Sequence, residues 1–264
     1  MKTSIVVSGA NGRMGQAVVE MISEVDDFKL VGAVDVTEVG KDIHQLLGLD
    51  EDPVKITENL AETLEEVKPD VVVEFTNPQV VMEHIQTTLE YNIDIVIGTT
   101  GITEADLTKI EEWNQDKSKI VIAPNFAIGA ILMMNFAQKA AKFMDDVEII
   151  ELHHDNKIDA PSGTAIKTAE LIGKNLDKPD KEVEEIEKLE GARGGLQDKI
   201  NIHSVRLPGL VAHQEVIFGG EGQTLSLKHD SINRKSFMPG VELAIKKLVD
   251  IDGVVYGLEN LIDL

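Results

Sequence analysis

Apolar residues along the chain fall into short continuous runs separated by stretches with helical spacing. Ile5-Val6-Val7, within Ser4–Ser8, is a buried-strand run, and Val18, Val19 and Ile22 give Gln16–Ser23 one inward helical face. Leu30–Asp35 is a second strand, closed by an acid. Val71–Phe75 reads as a strand followed by a helix to about Glu90. Asp94–Gly98 reads as another, followed by a helix to Trp113, with Thr103 as N-cap and Asp106 at the capping-box position. Lys119–Ala123 is a further strand. Continuous apolar strands alternating with helices predict a parallel sheet covered on both faces. The last three strands run into polar turns, Thr76-Asn77-Pro78, Thr99-Thr100-Gly101 and Pro124-Asn125-Phe126. In a parallel sheet these carboxyl-end loops share one edge, where ligands bind.

After Ile128 the pattern changes. Gly129–Met144 is one apolar helix, Val147–Leu152 an alternating strand, and Thr164–Leu176 a helix with Ala165, Ile166, Ala169, Leu171 and Ile172 at its core spacing. Asp177–Glu190, dense in acids and lysines, predicts a solvated, mobile segment, and Gly191–Gly195 a flexible one. Ile200–Arg206, Val211–Phe218 and Gln223–His229 follow as strands with no helices between them, so this sheet is mostly antiparallel or mixed. Pro239-Gly240 precedes a last helix, Val241–Val249, and a short tail. The fold class is therefore α/β: an N-terminal Rossmann-like parallel-sheet domain, then an α+β mixed-sheet domain over residues 128–240.

Composition narrows the partners. The 264 residues carry 47 acids against 25 lysines and arginines, a formal net charge of −22. That argues against nucleic acid and anionic membranes, which are bound through basic patches. An anionic ligand must therefore find a locally positive pocket. There is no cysteine, no apolar run of membrane-spanning length, and no signal-peptide pattern after Met1-Lys2-Thr3, which together predict a cytoplasmic protein.

Two stretches carry chemistry. Gly9-Ala-Asn11-Gly12-Arg13-Met14-Gly15 stands between the first strand and the first helix, and Asp35 closes the second strand. In a dinucleotide-binding unit Gly9 permits the tight turn, Gly12 lets a pyrophosphate approach the backbone, and Gly15 lets the helix pack. The acid accepts from ribose hydroxyls. Thr76, Gly98, Thr99, Thr100 and Asn125 should line the same crevice, with Phe75, Pro124 and Phe126 beside them; capping or turn roles are the plain alternative, above all for Pro124 and Thr103. The second stretch, Glu151–Ala165, brings His153, His154 and Lys157 to a Pro-Ser-Gly-Thr helix start. Free N–H groups there seat an anion, Lys157 adds charge, and imidazoles titrate near neutral pH. Neighbouring histidines on a strand face opposite ways, and no zinc spacing is present, so no metal is expected. A proton donor beside an anion seat points to chemistry on a small acid.

Taken together, Gly9-x-x-Gly12-Arg-Met-Gly15, Gly98-Thr-Thr-Gly101, Ala123-Pro-Asn-Phe126, Glu151-Leu-His-His-x-x-Lys-x-Asp-Ala-Pro-Ser-Gly-Thr-Ala and Ser204-Val-Arg206 resemble the dihydrodipicolinate (4-hydroxy-tetrahydrodipicolinate) reductases of lysine and diaminopimelate biosynthesis, over essentially the whole chain. The resemblance implies reduction of dihydrodipicolinate, a small dicarboxylate, to tetrahydrodipicolinate with NADH or NADPH. It implies His153 as proton donor and Lys157 as the second catalytic or substrate-binding residue. His154, Lys157, Gly163 and Thr164 would hold the carboxylates. It also implies a homotetramer built through the mixed sheet, and a last helix returning to the cofactor domain, which would then comprise 1–127 and 241–264. Where some members carry a basic residue after the ribose-binding acid, this chain has Val36. Asp35 would repel a 2′-phosphate, whereas Arg13, and Lys41 further along, would attract one. Two other readings stay open: a different dehydrogenase on the same plan, disfavoured by the His-His-x-x-Lys run, and a non-enzymatic redox sensor, which needs no proton donor.

Overall fold

The computed structural model describes residues 1–115, 117–176 and 186–262. The chain divides into two compact units, one made of Met1–Ala127 and the chain from Phe237 onward, the other of Ile128–Ser236.

The first unit runs β1 (Thr3–Ser8), α1 (Arg13–Glu24), β2 (Phe28–Val34), α2 (Ile43–Leu47), β3 (Ile56–Thr57), α3 (Leu60–Val67), β4 (Val71–Glu74), α4 (Val81–Glu90), β5 (Asp94–Ile97), α5 (Glu104–Asn114) and β6 (Ile120–Ile122). The second contains α6 (Ile128–Ala140), β7 (Asp146–His153), α7 (Gly163–Gly173), β8 (Gly195–Gln197), β9 (Ile200–Arg206), β10 (Ala212–Gly220) and β11 (Gln223–Ser231). The chain then returns to the first unit with α8 (Met238–Lys247) and β12 (Val254–Tyr256).

The first sheet is seven-stranded in the order β12-β6-β5-β4-β1-β2-β3, with every pairing parallel. Ile5, Val6 and Val7 are fully buried, as are Val72, Val73, Ile95, Val96 and Ile97, because helices cover both faces. Register sets the functional edge. Val34, Ser8, Glu74, Ile97 and Ile122 form one row across neighbouring strands, so the loops that follow them emerge side by side. The expected capping box at Thr103 is present: its hydroxyl accepts from Asp106 N–H at 3.2 Å, and the Asp106 carboxylate accepts from Thr103 N–H at 3.1 Å.

Several elements differ from the sequence reading. α2, β3 and α3 fill a region that carries little periodic signal; Asp42 caps α2 by accepting from His44 and Gln45 N–H. The tail contributes β12, which pairs with β6. Pro239 and Gly240 lie inside α8 rather than before it. Proline suits a first helical turn, where its missing N–H has no partner to lose, and the unit boundary falls at Ser236/Phe237.

The second sheet is mixed, in the order β11-β10-β7-β9-β8, with β7 parallel to β9 and antiparallel to β10. On β7, Val147, Ile149 and Glu151 are buried while Glu148 and Ile150 are only half-buried, an alternation that gives the strand one core face. α6 stops at Ala140, short of the expected Met144. The next turn closes with tighter bonds, Lys142 N–H to Lys139 and Phe143 N–H to Ala140, and Phe143 is exposed, so the core face has ended. α7 likewise ends at Gly173, before the expected Leu176. Gly195, expected in a flexible segment, begins β8. Of the acidic segment expected over 177–190, residues 177–185 lie outside the described residues, and 186–190 are exposed.

Candidate active site

In the first unit, Gly9 makes the turn after β1 at φ +80, and a Cβ there would stand 2.4 Å from the Phe75 carbonyl oxygen. Gly15 packs α1 onto that turn so closely that a Cβ would lie 2.0 Å from the Gly9 oxygen. α1 starts after Gly12 with no side-chain cap, and uncapped N–H groups at a helix start are able to receive an anion. Asp35, just past β2, fixes the loop: one oxygen accepts from Asn11 N–H at 2.9 Å, the other from Thr37 N–H at 2.9 Å and its hydroxyl at 2.7 Å. Arg13 is exposed and Met14 half-buried beside it, while Lys41 pairs with Glu38.

Across the same edge, Phe75 packs its ring against Gly98 and stands 5.7 Å from the buried Phe126 ring. Thr76 donates N–H and hydroxyl to the buried Glu74, whose pKa burial raises against those hydrogen bonds. Thr99 is buried, Thr100 and Pro124 are exposed, and Asn125 accepts from Ala127 N–H at 2.9 Å, a turn role. The predicted crevice residues thus share one sheet edge. An uncapped helix start, a carboxylate just past β2 and a pair of aromatic rings at one sheet edge fit a dinucleotide.

In the second unit, β7 delivers His153 at its last residue. His153 Nδ1 lies 2.5 Å from Glu151 Oε2. Glu151 is fully buried and also receives Arg206 through both terminal nitrogens at 2.9 and 2.8 Å, and Ser162 N–H at 3.2 Å. Burial opposes its charge, yet hydrogen bonds from Arg206, Ser204 and His153 hold its pKa below the usual carboxylate value. An ionised carboxylate only accepts, so Nδ1 of His153 carries a proton and Nε2 is the free ring nitrogen. Burial pushes the His153 pKa down; Glu151 pulls it up, and the charges of Lys157 and Arg206 add to the depression.

Lys157 turns back toward the strand, its N–H donating to the His154 carbonyl at 3.2 Å and its Nζ bonded to Asp159. Ser162 caps α7, accepting from Ala165 N–H at 3.2 Å, and no acid occupies the first turn. Gly163 is exposed, with nothing within 4 Å of a built Cβ, and Thr164 is half-buried. His154 does not lie on the opposite strand face as expected. β7 ends one residue earlier, and His154 stands exposed in the loop. Glu151 and Arg206 were not singled out as site residues. Their signal was present: strand alternation puts Glu151 on the His153 face, and Ser204-Val-Arg206 recurs in the resemblance. Among the described residues, no group of three or more His, Asp or Glu is arranged for a metal, and no helix is long and apolar enough to cross a membrane.

A parallel sheet with a glycine turn at its ligand edge, in one chain with a unit that links an imidazole and an acid-free helix start through one buried carboxylate, fits a nicotinamide-dependent oxidoreductase. Residues 3–126 match the family described as dihydrodipicolinate reductase, N-terminus, and residues 129–262 match dihydrodipicolinate reductase, C-terminus. The chain belongs to the dihydrodipicolinate reductase family. It is 51% identical over 261 residues to the 4-hydroxy-tetrahydrodipicolinate reductase of Bacillus thuringiensis (strain Al Hakam), covering 98% of each chain. The dipicolinate-bound dihydrodipicolinate reductase from Paenisporosarcina sp. TG-14 superposes with a TM-score of 0.87 at 44% identity, covering 99% of this chain and 100% of that one. An amine dehydrogenase from Mycobacterium smegmatis, 15% identical with a TM-score of 0.71 over 100% of this chain and 97% of its own, shares the fold.

Proposed function

We propose that this chain reduces dihydrodipicolinate, formed from 4-hydroxy-tetrahydrodipicolinate, to tetrahydrodipicolinate, with His153 delivering the proton and Lys157 supplying fixed charge to the substrate. The single observation that carries the reading is that buried Glu151 bonds both His153 Nδ1 and Ser162 N–H at the acid-free start of α7, with Lys157 in the loop between them. Gly163 supports it further. Among the described residues no packing requires glycine there, whereas a carboxylate lying against the helix start would.

When bound, the nicotinamide supplies the hydride. Gly9, Gly12 and Gly15 with Asp35 would hold the dinucleotide; Phe75, Thr76, Gly98, Thr99, Thr100, Pro124, Asn125 and Phe126 would border its nicotinamide half. Lys157 and the N–H groups of Gly163 and Thr164 would seat the substrate carboxylates, with exposed His154 within the same loop. His153 must hold its transferable proton at Nε2, because Nδ1 is committed to Glu151. In the free protein its depressed pKa keeps the ring neutral at pH 7; a dianionic substrate nearby favours the imidazolium. A donor so placed contributes typically about 10²–10⁴-fold. Family membership also supports a cytoplasmic homotetramer assembled through the mixed sheet.

The test is turnover with NADH or NADPH and aldolase-generated substrate, with pyridine-2,6-dicarboxylate as inhibitor. Substrate-dependent cofactor oxidation is expected, with competitive inhibition at least about tenfold stronger than by pyridine-2-carboxylate, since one charge-assisted contact contributes roughly 1.5–3 kcal/mol. Cofactor oxidation indifferent to substrate, or equal inhibition by the two acids, contradicts the reading.

A further inference from the structure

We infer that Glu151 is a positioning residue for the reaction, fixing the His153 tautomer and tying that ring to the α7 anion seat, with Arg206 locking Glu151 in place. The inference rests on the assignment of His153 as proton donor. Glu151 is fully buried, and both its oxygens are used: Oε2 by His153 Nδ1 and one Arg206 nitrogen, Oε1 by the other Arg206 nitrogen and Ser162 N–H. Ser162 is the N-cap whose side chain opens α7, so one carboxylate touches both the proton-carrying ring and the helix start.

Arg206 reaches beyond Glu151. The nitrogen that meets Oε1 also donates to the Asp159 carbonyl at 2.6 Å, and the other donates to the Val205 carbonyl at 2.8 Å. Asp159 in turn carries the Lys157 ammonium, so the guanidinium braces the loop that presents Lys157. A buried ion pair that served only stability would be replaceable by apolar residues at little cost. This one spends its hydrogen bonds on the two ends of the reactive loop. The charged groups acting on His153 are Glu151 on β7, Arg206 on β9 and Lys157 in the loop; Gln214, opposite Glu151 on β10, is neutral. Removing the carboxylate therefore leaves His153 facing only positive charge, and its nitrogens lose the fixed choice of which bears the proton.

The experiment compares Glu151→Gln, the double variant Glu151→Gln/Arg206→Gln and His153→Gln in the full chain, by thermal unfolding, kcat and KM at several pH values. The double variant guards against misfolding, because it leaves no buried guanidinium unpaired. In whichever of the two Glu151 variants folds, kcat is expected to fall at least about tenfold, with a smaller change in KM. The ionisation seen in kcat/KM should move to lower pH. A folded Glu151 variant with kcat within about threefold of the parent and an unmoved pH profile overturns the inference while leaving His153 as donor. A His153→Gln protein with undiminished kcat overturns the donor assignment and this inference with it.

Discussion

Lys157 Nζ meets both carboxylate oxygens of Asp159, at 2.8 and 2.9 Å. The ammonium is largely buried while Asp159 is mostly exposed, so the pair faces outward on its acidic side. A substrate carboxylate that reaches Nζ must share it with Asp159 or displace it. Lys157→Ala is therefore expected to raise KM at least about tenfold, from the loss of one charge-assisted contact. Asp159→Asn should tighten inhibition by pyridine-2,6-dicarboxylate at low salt, by about threefold or more, because a competing anion is gone. Weaker inhibition would show that Asp159 serves to orient Lys157.

Gly163→Ala separates binding from folding. The added methyl would touch none of the described residues, and the backbone there has no positive φ. Stability should hold or rise by roughly 0.4–1 kcal/mol, as for glycine replaced at a compatible position. KM and the inhibition constant for the dicarboxylate should both rise at least about tenfold. A variant equally stable and equally active would remove the α7 start from the substrate site.

Much of this was legible in the sequence, because chemistry and local geometry coincide there. Gly9 to Gly15 encode a turn that only glycine allows, and strand-length apolar runs end at the edge that carries the crevice. The remaining elements are fixed by distant partners. β12 is three residues long and exists through its pairing with β6. β3 is two residues and depends on β2. His154 looked like the alternate face of a strand, yet β7 stops at His153, where the chain turns into the Lys157 loop. Arg206 sits 55 positions from Glu151, and only the parallel β7–β9 register places it opposite His153.

Cofactor choice is expected to be relaxed. Asp35 opposes a 2′-phosphate, and exposed Arg13 at the start of α1 attracts one; Lys41 is engaged by Glu38. The kcat/KM values for NADH and NADPH should lie within about 10³ of each other, roughly 4 kcal/mol. A larger ratio would mean that one of the two residues dominates.

Acid should destabilise the fold from near neutrality. His153, His84 and His229 all have pKa values depressed chiefly by burial. The unfolded chain takes up protons at histidine's ordinary value of about 6.5 while the folded chain does not, so stability falls as pH drops below that value. Glu151 and Asp159, held below the usual carboxylate range by net hydrogen bonding, add their loss at lower pH. Tm should decline between pH 7 and pH 5.5; a flat Tm there would mean that these histidines charge freely in the folded state.

The most direct test of the account is the pH dependence of turnover in the parent and in His153→Gln. In the parent, kcat/KM should fall as pH rises through an ionisation below 6.5, the depressed value of His153 in the free enzyme. The ionisation in kcat should lie higher, because bound dianion favours the imidazolium. His153→Gln is expected to lower kcat by about 10²–10⁴-fold with a modest change in KM, and to abolish that ionisation. Near-parental kcat with the same pH profile would contradict the account and assign the proton to Lys157 or to water.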